Sequence, residues 1–165
     1  MLKAIVMGVA GSGKSSVGHA VADHLGAVYF DGDDLHPQSN IEKMAAGSPL
    51  DDTDRAPWLD KVGAALMHAD SPTLIGCSAL KRAYRDRIRA ACPQAKFAHL
   101  IGDRGVIEVR MSARTGHFMP VSLLDSQFAT LEPLQPDEAG FAVDIAQDFH
   151  AVVQQMVTRL SRPNS

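Results

Sequence analysis

The stretch "GVAGSGKS", residues 8–15, limits what this chain can fold into more than any other. It fits G-x-x-x-x-G-K-[ST] without a mismatch. It follows "LKAIVM", residues 2–7, a compact apolar run that suits a strand buried on both faces. Past the loop, Val17, Val21 and Leu25 recur at helical spacing, and Gly26 is placed to close that helix. A tight glycine turn between a buried strand and a helix aims backbone N–H groups, and the partial positive charge of the helix start, at a phosphate chain. The residues expected to form that cradle are Gly8, Val9, Ala10, Gly11, Ser12, Gly13, Lys14, Ser15 and Ser16. Lys14 is expected on the β- and γ-phosphates of a nucleoside triphosphate, with the Ser15 hydroxyl on Mg²⁺.

The rest of the chain repeats the alternation. Further short apolar runs are "AVYF" (27–30), "TLIGC" (73–77), "KFAHLI" (96–101) and "GFAVDI" (140–145). Between them the spacing predicts a short helix within "NIEKMAAG", ended by Gly47, and a helix capped by Asp52 or Thr53 that runs to about residue 69, with Pro57 in its first turn. It also predicts a helix with Leu80, Tyr84 and Ile88 on one face, capped at Ser78, and helices over about 104–113, 121–131 and 148–160. The tail "SRPNS" is expected to fray. Strands alternating with helices imply βαβ crossovers: an α/β fold with a parallel sheet covered on both faces.

At 165 residues the expectation is one domain. A formal net charge of -3 points to no nucleic-acid partner. No apolar run approaches the ~20 residues that span a bilayer, and the first residues do not read as a signal peptide, so no membrane is expected. Cys77 and Cys92, without metal-ligand spacing around them, suit free thiols in a reducing, cytoplasmic compartment.

"FDGDDLHP", residues 30–37, crowds Asp31, Asp33 and Asp34 into four positions at the end of the second strand. A solvated acidic turn is the bland reading. In a doubly wound sheet, however, ligands gather at the carboxyl ends of the strands. If strand geometry persists, Asp31 and Asp33 point to opposite sides. One can then serve Mg²⁺ while the other takes the proton of an alcohol attacking the γ-phosphorus; Asp31 is the expected metal partner and Asp33 the expected base, and the two roles could be exchanged. A GTPase would need N-K-x-D, yet the only asparagines are Asn40 and Asn164. A small chain with a phosphate loop at its start suits phosphoryl transfer to small molecules.

"GVAGSGKSS", "DGDDLHPQSNIEKMAAGSPLDDTDRAPWL", "CSALKRAYRD" and "ARTGHF" together closely resemble the bacterial-type gluconokinases, over residues 4 to 159. The resemblance implies ATP-dependent conversion of D-gluconate to 6-phosphogluconate. It also implies a five-stranded parallel sheet like that of P-loop nucleoside monophosphate kinases, an acceptor-binding segment over about 34–58, a mobile lid over about 114–120, and a homodimer. A sugar acid needs cations and polar groups, which His36, Lys43 and Arg55 offer; Trp58 reads first as a packing residue. Lys81 and Arg85, four apart after the third strand, are further substrate candidates. Carried over by position, Arg110 is the adenine partner and Arg114 the phosphate partner, and His117 is a lid candidate. His19, His24, His68, His99 and His150 belong to no constellation. A shikimate or nucleotide kinase is a competing reading, although shikimate kinases carry Gly-Gly where this chain has "CSALK". A nucleotide-binding regulator without catalysis is another, opposed by the presence of Lys14, Ser15, Asp31 and Asp33 together.

Overall fold

The computed structural model describes residues 1–112 and 121–162. Strand β1 (Lys3–Met7) is the centre of a five-stranded sheet in the order β2-β3-β1-β4-β5, with β2 (Val28–Asp31), β3 (Thr73–Gly76), β4 (Lys96–Ile101) and β5 (Gly140–Asp144). Every pairing is parallel. Alternate side chains of β1 enter two different cores. Ala4 and Val6 pack with α1 (Lys14–Leu25) and α7 (Phe149–Leu160), while Ile5 and Met7 pack with α3 (Asp52–Met67) and α4 (Arg82–Ala91). This period of two, apolar on both sides, is why the run reads as continuously hydrophobic. The remaining helices are α2 (Gln38–Ala45), α5 (Arg104–Ser112) and α6 (Val121–Thr130).

The local signals mostly act as expected. Gly26 closes α1 in the left-handed region at φ 62, donating to the Ala22 carbonyl. Two expectations need correction. The cap of α3 is Asp51, not Asp52 or Thr53: its carboxylate accepts the Asp54 N–H while the Asp54 carboxylate accepts the Asp51 N–H, a reciprocal pair. Pro57 therefore falls in the second turn of α3. Helix α4 is not capped at Ser78. It begins after Lys81, and its Arg82 N–H donates to the Glu132 carboxylate, 50 residues away. The intervening residues form a loop in which Ala79 adopts φ 46.

That loop is held by Arg85, which is wholly buried. Its Nε lies 2.7 Å and its Nη2 3.0 Å from the two oxygens of Glu138, and Nη1 donates to the Ala79 carbonyl at 2.9 Å. Nη2 also reaches the Pro133 carbonyl, and Glu138 takes a further bond from Arg89. The expectation of Arg85 as a substrate ligand is thereby corrected, because its donors are turned into the protein. Burial pushes the Glu138 carboxyl up, but Arg85, the Gln135 N–H and Arg89 outweigh it and hold it at about 2.

Glu138→Gln leaves a buried guanidinium without its counter-charge and should destabilise the fold by roughly 3 kcal/mol at neutral pH in urea unfolding. The depressed carboxyl contributes stability above its ordinary value of 4.5 and loses it as pH falls towards about 2. The gap between the two proteins should therefore narrow over that acid range, and a gap independent of pH would contradict the ion-pair account.

Candidate active site

β1 ends in the phosphate loop, β2 in the acidic turn and β3 in the Ser78–Lys81 loop, so three strands deliver their following residues to one end of the sheet. Between them lies a cavity of about 600 Å³. Gly8, Gly11 and Gly13 all adopt positive φ. A Cβ at Gly8 would stand 2.6 Å from Ser12 Oγ and 2.9 Å from the Leu100 carbonyl, so the close approach requires glycine there. α1 starts at Lys14 without a side-chain cap, which leaves its first N–H groups to an anion. Lys14 Nζ arches over the loop to the Gly8 and Val9 carbonyls, at 2.9 and 3.1 Å. Ser12 Oγ is buried and has no hydrogen-bond partner in the described residues. Val9 is buried beneath the loop, and Ser16 is exposed on the first turn of α1.

The acidic turn differs from the extended strand that its alternation suggested. β2 stops at Asp31, whose carboxylate accepts the Asp33 N–H at 2.9 Å and caps a single 3₁₀ turn, Gly32–Leu35. Asp31 and Asp33 thus line the same cavity rather than opposite sides. Partial desolvation at the cavity and the neighbouring Asp31 raise the Asp33 carboxyl above its ordinary value, against the opposing pull of His36 and Lys14; with 75% of its side chain exposed, solvent screening keeps the rise modest. The turn is anchored from below: Trp58 Nε1 donates to the buried Gly32 carbonyl at 2.8 Å. His36 stacks on the Trp58 ring, centroids 4.1 Å apart. Trp58 is the packing residue the sequence suggests, and it also lines the cavity. Asp31 and the Ser15 hydroxyl are hard oxygen donors beside the phosphate loop, the ligand type that Mg²⁺ takes.

In the same cavity, Arg55 and Lys81 flank Tyr84, each charge within 5.6 Å of its ring centre. Tyr84 donates to Asp52 at 2.6 Å, and Asp52 stands 3.7 Å from Arg55 and 3.6 Å from Lys81. Two cations and one carboxylate leave this wall with a net positive charge. Lys43 is not on it. Its ammonium is 2.6 Å from Asp54, in the capping pair of α3, and Met44 lines the cavity in its place. Lys43 is therefore corrected from a pocket cation to a helix-end ion pair.

Arg110 lies near Gly13 and donates to the Ile145 carbonyl. With Val106, Val109 and Ala146 it lines a second hollow. Arg114, Gly116, His117 and the whole expected lid lie outside the described residues.

Three contributors were not foreseen. Gln127 of α6 accepts the Ala10 N–H of the phosphate loop at 2.6 Å, a contact across 117 residues that no local pattern signals. Asp52 organises the cationic wall. Tyr29 wedges its ring between α1 and β3: a Cβ at Gly18 would come within 2.3 Å of the ring, and one at Gly76 within 2.1 Å of the hydroxyl. Burial, with Asp31 nearby, pushes that hydroxyl up to about 12, against the opposing pull of Ser15.

No model of a protein family matches the chain. Among curated proteins, the thermosensitive gluconokinase of Escherichia coli K12 is 48% identical over 155 residues, covering 92% of this chain and 83% of that protein. The thermoresistant gluconokinase of the same organism is 46% identical over 157 residues, covering 93% and 90%. Among solved structures, a gluconokinase from Sinorhizobium meliloti 1021 superposes with a TM-score of 0.89 at 46% identity, covering 98% of this chain and 92% of that one.

The Trp58 anchor can be tested directly. Trp58→Phe keeps an aromatic face for His36 but strands the Gly32 carbonyl, which should cost about 1–3 kcal/mol in denaturant unfolding. An unchanged midpoint would show that the indole N–H does not hold the acidic turn.

Proposed function

The chain belongs to the gluconokinase family, and from that premise we propose that it transfers the γ-phosphoryl group of ATP to the 6-hydroxyl of D-gluconate, giving 6-phospho-D-gluconate and ADP. The observation that carries this reading is the polarity of one cavity. A phosphate cradle, a raised carboxyl and the Arg55–Lys81 pair line the same cavity. Such a cavity suits a molecule with a carboxylate at one end and a primary hydroxyl at the other. Arg55 and Lys81 hold the carboxylate, and His36 meets a hydroxyl of the polyol. Asp33, raised by its surroundings, accepts the proton of the 6-hydroxyl as its oxygen attacks the γ-phosphorus and the bond to the β-phosphate oxygen breaks. Lys14 and the N–H groups of the phosphate loop stabilise the charge on the transferred group. Mg²⁺, when bound, neutralises phosphate charge, and Ser15 and Asp31 are the residues that would hold it.

Arg110, beside the second hollow, packs against adenine in this reading, and Arg114 offsets charge on the phosphoryl group. Residues 114–120 close over the nucleotide, and residues 34–58 bind the acceptor within a single kinase domain. The active form is a homodimer, as the family resemblance implies, working in the reducing cytoplasm that suits the free thiols of Cys77 and Cys92. Among the described residues no helix is long and apolar enough to cross a membrane.

A coupled assay across gluconate, shikimate and nucleoside monophosphates, with ATP and Mg²⁺, should show turnover of gluconate alone. Faster turnover of either other acceptor class would replace the reading. Within that assay, Asp33→Asn should lower kcat by about 10²–10⁴-fold, as expected for loss of a general base, with the KM for ATP little changed. Asp31→Asn should instead raise the Mg²⁺ concentration needed for half-maximal rate. A metal-dependence defect found only in Asp33→Asn would exchange the two roles.

A further inference from the structure

Asn40 is a buried polar residue on α2 that touches none of the reacting groups. Its side-chain nitrogen Nδ2 makes two contacts, 2.9 Å to the Asp54 carbonyl oxygen and 3.1 Å to Nδ1 of His36. A carbonyl oxygen only accepts, so the group facing it must be the amide NH₂ and not the amide oxygen. The same NH₂ then presents its second hydrogen to His36 Nδ1, which must be an unprotonated acceptor. The proton of the neutral imidazole consequently sits on Nε2. That nitrogen faces Asp33, 3.8 Å from Oδ1, and the His36 side chain is only 6% exposed. The plane of the ring is held by Trp58, on which its face lies at an interplanar angle of 17°.

We infer that Asn40 is a positioning residue for phosphoryl transfer: it fixes the tautomer of His36, so that a hydrogen-bond donor and not a lone pair faces Asp33 and the acceptor hydroxyl. The other tautomer would set an Nε2 lone pair against the Asp33 carboxylate, two acceptors in one corner of the pocket. The Nε2–H donor lets Asp33 and a substrate oxygen share one ordered arrangement before the proton moves. Asp54 completes the device. Its carbonyl orients Asn40, while its carboxylate closes the cap of α3 and pairs with Lys43. The start of α3, which carries Arg55 and leads into Trp58, is thereby tied to the state of one imidazole. For its catalytic consequence the inference rests on the gluconate reading; the tautomer itself does not.

Long-range ¹H–¹⁵N NMR of the full chain without substrate reads the tautomer, the His36 signals being assigned by their loss in His36→Gln. The wild-type ring should carry its proton on Nε2. In Asn40→Asp, whose carboxylate accepts from Nδ1, the Nδ1 site should become protonated. A wild-type ring protonated on Nδ1, or an Asn40→Asp ring indistinguishable from wild type, overturns the inference; if the variant does not fold, the wild-type spectrum still decides. In kinetics, Asn40→Leu should lower kcat/KM for gluconate on the order of ten- to a hundredfold through misplaced reacting groups, with the KM for ATP unchanged. In a His36→Gln background, which has no tautomer to set, the same substitution should have little further effect. An equal loss in both backgrounds would make Asn40 a purely structural residue and overturn the inference. Turnover of shikimate in place of gluconate would defeat the proposed function and leave the spectra standing.

Discussion

A guanidinium with no exposure must have its donors met inside the protein, and Arg85 meets that demand from the loop just before its own helix and from two positions 48 and 53 residues further on. Glu138, just before β5, supplies the counter-charge. The Ala79 carbonyl fixes the loop after β3, and the Pro133 carbonyl fixes the strap that follows α6. Breaking such a pair exposes the full desolvation cost of the partner left behind. The arrangement therefore tolerates little displacement, and this matters beyond stability. The loop it holds carries Lys81 onto the cavity wall, and the strap it holds ends α6, whose Gln127 touches the phosphate loop.

The cavity itself is built from opposed electrostatics. On the acidic side Asp31 raises Asp33, which suits a group that must accept a proton. On the basic side Asp52 sits among Arg55, Lys81 and Tyr84, so that two cations are kept near one another by a shared carboxylate. Hydrogen bonding from Tyr84, together with Lys81 and Arg55, lowers the Asp52 carboxyl and keeps it ionised. The two clusters differ in sign, and a molecule that meets both is oriented before any chemistry begins.

Features governed by local physics were legible in the sequence. β1, β4 and the glycine loop follow from runs of adjacent residues, and their bounds came out within a residue or two. Several errors fall where a distant partner decides. Arg85 looked like a substrate ligand because Glu138 is 53 residues away. Lys43 looked like a pocket cation because its partner Asp54 belongs to the next helix. Ser78 looked like a cap, yet Glu132 takes that role for α4. Extended alternation misplaced Asp33 because Asp31, by accepting the Asp33 N–H, bends the chain into a 3₁₀ turn. This short-polar-side-chain competition with strand geometry is common at turns, and, like the Asp51–Asp54 cap of α3, it is a correction that local chemistry could have supplied.

Tyr29 has a consequence for how this sequence can drift over generations. Its ring and hydroxyl occupy the space that side chains at positions 18 and 76 would need. Those three sites lie on α1, β2 and β3, with no neighbourhood in the chain. A methyl group gained at either glycine must be matched by a smaller residue at 29, which in turn gives up the contact with Ser15 on the phosphate loop. The three positions are thus inherited as one unit: relatives that change one of them should change another, and a lineage that keeps the tyrosine keeps both glycines.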